Sequence, residues 1–346
     1  MSLLSRPATA DPRRPVGTQT PAMRELRLLT WLPIVGAAAL LGLSLGAPTL
    51  AAEIAVPLAV VGALVGIPHG AVDHLVPLWW GNDQSSQRVG PRRSTTSRLV
   101  LFAAAYTACA GAALTALLLA PTPMLVAFLL LSAVHFGLGE VVTSAERAGR
   151  PVTRTPGERL VAGAHGAVVV GLLFWSRPET TDPYLRTLSP WLADAATRSR
   201  GVGLLLVAAT VTMGLVVLLR ARRRLEAAEL ALLAGLFSTA PPLAAFGIYF
   251  GLWHSLRHTG RLLDLARRRL AAPGWRPAVV LLGRAGLWPS TVAFAAVAAL
   301  WFARDLASLQ AEIAVLLALT FPHSAVVWAL DRRGEHLSAV LRPAQR

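Results

Sequence analysis

Long apolar segments recur along the chain from Leu28 almost to its C-terminus, separated by short polar stretches. Most of them are long enough to cross a bilayer as a helix. They lack the alternation of apolar and polar residues that is typical of barrel strands. The pattern predicts an all-α, polytopic membrane helical bundle of about eight to ten transmembrane helices. The ten predicted helices span residues 28–46, 53–68, 99–120, 124–142, 160–175, 201–219, 226–240, 246–269, 279–302 and 312–330.

The composition strengthens the membrane assignment, because 54% of the residues are hydrophobic and only 15% are charged. The formal net charge is +15, and all 33 basic residues are arginine. A soluble protein with this charge would be expected to bind nucleic acid. Here the arginines lie in short connections between apolar segments, where they set orientation and meet lipid headgroups, so no nucleic-acid partner is expected.

The distribution of arginine also predicts the orientation. Arginine-rich connections follow predicted helices 2, 4, 6, 8 and 10, and a cytoplasmic N-terminus places all of them on the cytoplasmic side. The connection at residues 177–200 departs from this pattern with four arginines, although its Tyr184 and Trp191 suit a membrane interface. We therefore expect a multi-pass protein of the cell membrane with its N-terminus in the cytoplasm.

One predicted helix carries two histidines a turn apart, in the segment FGIYFGLWHSLRHTGRLLD. His254 and His258 stand at positions i and i+4, so both imidazoles project from the same face. A helix uses this spacing to give two nitrogen ligands to one metal ion. Ionisable side chains at bilayer depth are costly and mark candidate functional sites. These two histidines are therefore candidate metal ligands.

Three further histidines lie on other even-numbered helices, in GIPHGAVDHLV, LSAVHFGLGE and LTFPHSAVVW. By residue count all five lie near the middle or in the cytoplasmic half, so separate helices bring imidazoles to a similar depth. Pro68 and Gly70 interrupt regular helix beside His69 and can aim its ring inward, the alternative being a helix cap at the interface. His165, among glycines in GAHGAV, equally suits packing or hydrogen bonding. The three further candidates are His69, His135 and His323.

A centre made of imidazoles suits Fe, Zn, Cu or Ni, because few carboxylates lie at this depth. With an open coordination position, it fits a metal that binds oxygen or a substrate better than a closed structural site. Asp73 and Glu140 follow His69 and His135 closely in the chain. They are candidates for orienting the ligating imidazoles rather than for binding the ion.

Taken together, GIPHGAVDH, HFG, WHSLRH and the later FPH resemble the motifs of the Brp/Blh family of bacterial and archaeal membrane β-carotene 15,15′-dioxygenases. The resemblance covers roughly residues 50 to 330. It implies an Fe(2+) cofactor held by histidines, and oxidative cleavage of the central 15,15′ double bond of β-carotene by O2 to two all-trans-retinal. By motif, the catalytic and metal-binding residues are His69, His135, His254 and His258. His323 matches a further family histidine, which either supports the ligands from outside, like Asp73 and Glu140, or is an alternative ligand.

The composition and the apolar segments also predict a domain organisation, and the resemblance implies partners. Residues 26–335 would form a single integral-membrane catalytic domain, between a disordered cytoplasmic tail at residues 1–25 and a C-terminal tail at residues 336–346. β-Carotene and O2 are the expected substrates, and the lipid bilayer surrounds the domain. A retinal product implies a functional link to a retinal-binding protein.

Two other functions remain as alternatives. A di-iron membrane hydroxylase also uses histidines four residues apart, but such sites typically include adjacent histidine pairs, and the chain has none. A His-rich membrane transporter for metal ions or protons would use the same histidines with Asp73 and Glu140 as a relay. A retinal-binding rhodopsin is disfavoured, because its Schiff base needs a lysine and the chain contains none.

An apolar polyene is expected to enter sideways from lipid, between helices. Four glycines near the histidines allow two interpretations, a narrow slot for the substrate or close packing of helix backbones. Four aromatic residues flank the candidate ligands and either stack along the polyene or fill the core. The glycines are Gly66, Gly70, Gly247 and Gly251, and the aromatic residues are Phe136, Tyr249, Phe250 and Trp253.

Overall fold

A computed structural model of the chain describes residues 27–80, 94–270, 274–302 and 306–340, and these residues are helical almost throughout. No β-strand occurs within them. The predicted tail at residues 1–25 lies outside the described residues, as do residues 341–346. The helices are α1 (Arg27–Gly46), α2 (Pro48–Glu53), α3 (Ala55–Gly66), α4 (Leu75–Trp80), α5 (Thr95–Leu119), α6 (Pro121–Arg147), α7 (Pro156–Gly166), α8 (Leu172–Trp175), α9 (Pro178–Leu188), α10 (Pro190–Arg198), α11 (Arg200–Arg220), α12 (Arg224–Thr239), α13 (Pro242–Ile248), α14 (Leu256–Arg269), α15 (Arg276–Phe302) and α16 (Leu306–Val340).

Within the described residues, eight helical segments are long and apolar enough to cross a membrane. They confirm the predicted all-α membrane bundle. Each of the ten predicted helices has a counterpart, but α12, with 16 residues, and the helix with the paired histidines, which is rich in arginine over α14, are not among the eight. The eight segments are Leu29–Gly46, Ala55–Trp79, Thr95–Leu119, Pro121–Arg147, Pro156–Trp175, Arg200–Arg220, Arg276–Ala296 and Ala314–Arg332.

Two stretches are more helical than their sequences predicted. The second predicted helix ends too early, at residue 68, because Pro68 lies at the start of a 3₁₀ turn (Ile67–Val72), where a proline needs no N–H donor, and the chain continues into α4. The polar connection at residues 177–200 contains the helices α9 and α10. Each begins with a proline, Pro178 or Pro190, whose fixed φ favours a helix start.

The helix with the paired histidines lies at the centre of the bundle. It consists of α13, a π-helical segment (Tyr249–Ser255) and α14, and we call these three together the histidine helix. It contacts α1, α3, α6, α12 and α15, and its Trp253 is fully buried. On the outside of the bundle, α11 exposes Val202 and Leu205. Such an apolar exterior around a polar centre is the arrangement that a lipid environment favours.

The histidine helix meets α3 backbone against backbone. A Cβ atom at Gly62 would overlap the carbonyl oxygen of Gly247, and one at Gly251 would lie 2.8 Å from the Cα of Gly62. A Cβ atom at Gly66 would overlap the ring of Phe250. The glycines therefore pack the helices, and this contact leaves no slot for a substrate between α3 and the histidine helix.

Buried ion pairs form a layer at the arginine-rich end of the histidine helix. Arg257 lies 2.8 Å from Glu140 and 2.9 Å from Glu229, and its side chain is only 4% exposed. Arg261 lies 2.7 Å from Asp331 on α16. Because an unpaired buried charge is costly, these pairs fix the positions of α6, α12, α14 and α16 relative to one another. The buried ionic layer consists of Glu140, Arg147, Glu229, Arg257, Arg261 and Asp331.

Candidate metal centre

Five buried histidines converge at one place in the bundle, between α6, the histidine helix, α16 and the 3₁₀ turn that follows α3. None of them is more than 9% exposed. Their neighbouring ring centroids lie between 4.7 and 6.5 Å apart. The histidine cluster consists of His69, His135, His254, His258 and His323.

The ring nitrogens of the cluster face one another. Nε2 of His69 lies 3.2 Å from Nε2 of His323, and Nε2 of His135 lies 3.4 Å from Nε2 of His254. His69, His254 and His323 each offer a nitrogen within 4.8 Å of the other two. Two nitrogens that bind one ion at about 2.1 Å, with an angle between about 90° and 109°, lie about 3.0–3.4 Å apart. The two short distances fall in this range, which an N–H···N hydrogen bond between the rings would also give.

The paired histidines share one face of their helix, as their spacing predicted. The rings of His254 and His258 are within 9° of parallel, with centroids 6.5 Å apart. The same column continues through Phe250 and Phe246, whose rings stack at 5.7 Å. His254 lies in the π-helical segment, a type of irregularity that is frequent at functional sites. Two imidazoles and two phenyl rings thus form a continuous aromatic face.

The 3₁₀ turn aims His69 into the cluster, as Pro68 and Gly70 predicted. Its Nδ1 forms a hydrogen bond with the carbonyl oxygen of Gly66, and the hydroxyl of Ser255 lies 3.2 Å from the same nitrogen. A carbonyl oxygen can only accept, so Nδ1 carries the proton in this bond. The neutral ring then turns the lone pair of Nε2 toward the cluster, which is the form that binds a metal.

His323 is held from the side that faces away from the cluster. Its Nδ1–H donates to Oδ2 of Asp73 at 2.9 Å, and the hydroxyl of Tyr106 donates to the same oxygen at 3.2 Å. A Cβ atom at Gly70 would lie 3.4 Å from Nδ1 of His323, so the glycine keeps room for this arrangement. Among the described residues, Asp73 is the carboxylate that bonds an imidazole of the cluster.

Glu140 supports the histidine helix rather than an imidazole. Its Oε2 accepts hydrogen bonds from Nε1 of Trp253 at 3.0 Å and from Arg257 at 2.8 Å. The guanidinium of Arg257 also lies 4.1 Å from the centroid of the Trp253 ring. Trp253 therefore belongs to the core beside the buried ionic layer, on the side of the helix away from the cluster's aromatic face.

Phenylalanines form the apolar side of the cluster. The Phe136 ring lies 4.9 Å from the ring of His254, and the Phe250 ring lies 5.6 Å from the ring of His69. Tyr249 is fully buried and packs edge-on against Phe136 at 5.3 Å. Phe136 and Phe250 are thus the two of the four predicted aromatic residues with the closest approach to the imidazoles.

A small polar cavity adjoins the other side of the cluster. Its volume is about 10 Å³, and three imidazoles of the cluster line it together with Glu140. A neighbouring cavity of about 30 Å³ shares Thr143, Arg257 and Arg261 with the first and reaches Thr30 on α1. The cluster therefore has a polar side toward the ionic layer and an apolar side toward the phenylalanines.

His165 and His74 do not join the cluster. His165 is buried on α7, and its Nδ1 has no hydrogen-bond partner among the described residues. His74 is half-buried, and its Nδ1 bonds the carbonyl oxygen of Ala71. Their place in the chain, beside glycines or just after the 3₁₀ turn, gave no basis for grouping them with the five.

Three residues of the site escaped the sequence analysis: Tyr106, Ser255 and Glu229. A tyrosine hydroxyl inside an apolar segment needs a partner, and that need was the available signal for Tyr106. Arg257, in WHSLRH, likewise requires a carboxylate at depth, and Glu229 on α12 provides one. Neither signal identifies the partner, because Tyr106 and Asp73 are 33 residues apart in the chain.

In the described part of the chain, eight helices long and apolar enough to cross a membrane surround a buried cluster of imidazoles that could hold a metal ion. The sequence profile of the β-carotene 15,15′-dioxygenase family matches residues 59–331, and the chain belongs to this family. It is therefore an oxygenase, a carotenoid dioxygenase.

A relative from Halobacterium salinarum carries the name "Probable beta-carotene 15,15'-dioxygenase Blh". It is 31% identical to this chain over 352 aligned positions, which cover 94% of the chain and 96% of the relative. No solved structure matches the chain. The similarity to the relative thus extends beyond the histidine motifs to nearly the whole length of both proteins.

Proposed function

We propose that the protein uses a histidine-bound Fe(2+) and O2 to cleave β-carotene at its central 15,15′ double bond, giving two molecules of all-trans-retinal. The convergence of five buried imidazoles on one point is the observation that carries this proposal. Family membership supports the reaction, and the all-nitrogen donor set suits iron among the metals that imidazole binds.

His69, His135, His254 and His258 are proposed to hold the iron. Two nitrogen pairs at 3.2 and 3.4 Å support an ion within the cluster. The tautomer of His69, with its proton on Nδ1, supports ligation through Nε2. Asp73 and Glu140 are proposed to act around the ion without binding it, since each already accepts two hydrogen bonds from protein groups.

The iron, when bound, supplies the binding and activation of O2 that the side chains cannot provide. Each retinal product receives one oxygen atom of O2. The overall reaction consumes no protons and no electrons from an external donor. The overall reaction therefore involves no net proton transfer, and Asp73 and Glu140 already accept hydrogen bonds from protein groups. The chain contributes an apolar wall, with Phe136, Phe246 and Phe250 excluding water and positioning the polyene.

The substrate is proposed to reach the cluster sideways from lipid, because β-carotene has no polar group that would favour passage through water. The glycine contact between α3 and the histidine helix leaves no opening there. The phenylalanine side of the cluster is the better candidate, since it continues the aromatic face along the helix axis. The polar side, with its small cavities, suits water rather than a polyene.

The membrane setting is part of the same proposal. Residues 26–335 would act as a single catalytic domain in the cell membrane, crossing it several times, with the N-terminus in the cytoplasm. The buried ionic layer and the arginine-rich helix ends would then face the cytoplasm. A retinal-binding protein would be the functional partner that uses the product.

Co-expression in a host that makes β-carotene tests the function directly. Wild-type protein should bleach the cells and produce retinal, whereas His254→Ala should leave β-carotene intact. His165→Ala, which removes a buried imidazole outside the cluster, is the matched control and should still bleach. Metal accumulation without retinal would instead favour a transporter.

A further inference from the structure

A chain of three contacts runs from α5 to the histidine cluster. Tyr106 donates to Asp73 at 3.2 Å, and His323 Nδ1–H donates to the same carboxylate oxygen at 2.9 Å. On its other edge, Nε2 of His323 lies 3.2 Å from Nε2 of His69. The ring of His323 is therefore fixed between a carboxylate on one side and the cluster on the other.

The protons of these two rings are placed by their outer partners. His69 donates a hydrogen bond from Nδ1–H to a backbone carbonyl, and His323 donates one from Nδ1–H to Asp73. In the neutral form of each ring, a proton on Nδ1 leaves Nε2 without one. Two lone pairs that face each other at 3.2 Å repel, unless a cation lies where both can reach it. The pair thus has the arrangement of two ligands of one ion.

The charge of Asp73 supports the same assignment. It is a carboxylate with only 3% of its surface exposed, inside a helical segment that can span a membrane. A buried charge is tolerated when it is paired, and the partners of Asp73 in the described structure are a neutral hydroxyl and an imidazole. A divalent cation bound to His323 would place positive charge near this carboxylate, on the far side of the ring. Metal-ligating histidines commonly donate their second N–H to a carboxylate in this manner.

We infer that His323 is a metal-binding imidazole of the cluster, and that Asp73 and Tyr106 are positioning residues that set its tautomer and orientation. The inference deepens the proposed function, on which it rests for the presence of a metal. It decides between the two roles that the motifs left open for His323, and it gives Asp73 a specific task. The signal is spatial, since His323 and Asp73 are 250 residues apart in the chain.

The test measures metal coordination separately from turnover. Purified protein in detergent is stripped of metal and titrated with Co(2+), whose visible absorption reports the number and type of its ligands, and competition with a chelator gives the affinity. His323→Ala should change the spectrum and weaken binding. Asp73→Asn, which keeps the shape of the side chain, should weaken binding about 10–100-fold. Tyr106→Phe removes one neutral hydrogen bond and should weaken it only about 2- to 10-fold.

Two further variants decide between ligation and general support. Added imidazole should restore the wild-type spectrum in His323→Ala, because it can replace the missing ligand. If His323 only packed helices, added imidazole would not restore the spectrum. His165→Ala should keep both the spectrum and the affinity. If His323→Ala does not fold, as judged by circular dichroism and gel filtration, then Asp73→Asn carries the test through its spectrum and affinity.

The outcomes separate this inference from the proposed function. Unchanged Co(2+) spectra and affinities in both His323→Ala and Asp73→Asn, beside a clear loss in His254→Ala, would overturn it while leaving the function intact. Loss of Co(2+) ligation in these variants, with a wild type that makes no retinal, would uphold the ligand and overturn the function. A wild type that binds no Co(2+) or iron would overturn both.

Discussion

The guanidinium of Arg257 lies 2.8 Å from the carboxylate of Glu140, and both side chains are only 4% exposed. The two residues belong to the two helices that supply three of the cluster's five imidazoles. Arg257 stands between His254 and His258 in the chain, and Glu140 follows His135 on α6. The ion pair therefore fixes the distance between the histidine-bearing faces of these helices.

Replacing Glu140 with alanine should destabilise the fold strongly. The variant leaves Arg257 with one carboxylate, Glu229, and removes the acceptor of the Trp253 indole. Breaking a buried ion pair typically costs about 3–5 kcal/mol, and we expect a loss near the lower end because Glu229 remains. Thermal unfolding in detergent, followed by circular dichroism, measures the effect. The exposed pair of Arg186 and Asp182 provides the control, and Arg186→Ala should leave the melting temperature unchanged; an equal loss there would contradict the argument.

Alanine at His254 or His258 should abolish most metal binding. Each substitution removes a ring from the cluster, and even the loss of an outer partner of a ligand costs about 10–100-fold in affinity. Metal analysis of the purified variants after loading with Fe(2+) is the measurement, with His165→Ala as the control. Full iron occupancy in either variant would show that the replaced histidine is not a metal ligand.

Removal of the metal should stop the reaction without unfolding the protein. A membrane-permeant chelator is expected to end retinal formation, and Fe(2+) should restore it. Zn(2+) should occupy the site and leave activity absent, because zinc has no redox chemistry with which to activate O2. Retinal formation assayed after each addition checks this, and full activity with Zn(2+) would show that O2 activation does not depend on iron.

A large side chain in place of a glycine at the contact between α3 and the histidine helix should lower iron content and cleavage rate together. Gly251→Leu forces α3 away from the histidine helix, because even a Cβ atom there would lie 2.8 Å from Gly62. Since His69 follows α3 directly, its ring should shift relative to His254. Iron content and cleavage rate are measured in parallel. Gly111→Leu on α5, where a Cβ atom meets nothing within 4 Å, is the matched control. Slower cleavage with full iron content would instead support the hypothesis that these glycines keep a slot for the substrate.

Removing a ring from the aromatic face should weaken substrate binding and leave metal binding unchanged. Phe246→Ala removes the ring farthest from the imidazoles in the column, so iron content should stay normal while the KM for β-carotene rises. Initial rates of retinal formation against β-carotene concentration in micelles give the KM. Trp288→Ala alters an aromatic side chain that is 75% exposed on α15 and serves as the control. An unchanged KM in Phe246→Ala would place the polyene elsewhere.

Much of this architecture follows from local patterns in the sequence. The long apolar segments predicted the long helices that the structure describes. The four-residue spacing of His254 and His258 predicted that their rings share one face of a helix. The common depth of the histidines was predictable from topology, because alternate helices run in the same direction. The irregular backbone around His69 followed from Pro68 and Gly70.

The remaining features depend on tertiary contacts that no local pattern encodes. Asp73 lies four residues after His69 in the chain, yet its hydrogen bond goes to His323, which is 250 residues away in the sequence. Glu140 is near His135 in sequence but turns to Arg257. The glycines were compatible with a slot or with close packing, and only the position of α3 distinguishes the two.

The place of His323 on α16, the last helix among the residues that the structure describes, has a consequence for biosynthesis. Helices enter the membrane in the order in which the ribosome makes them, so Asp73 is inserted long before its imidazole partner exists. Until α16 arrives, the Tyr106 hydroxyl is the partner that the structure provides for this carboxylate at depth. A nascent chain that stops before α16 would hold the earlier histidines in the bilayer without the ring that links them to Asp73. Completion of the centre is thus coupled to completion of the polypeptide, and iron that arrives earlier would meet an unfinished binding site.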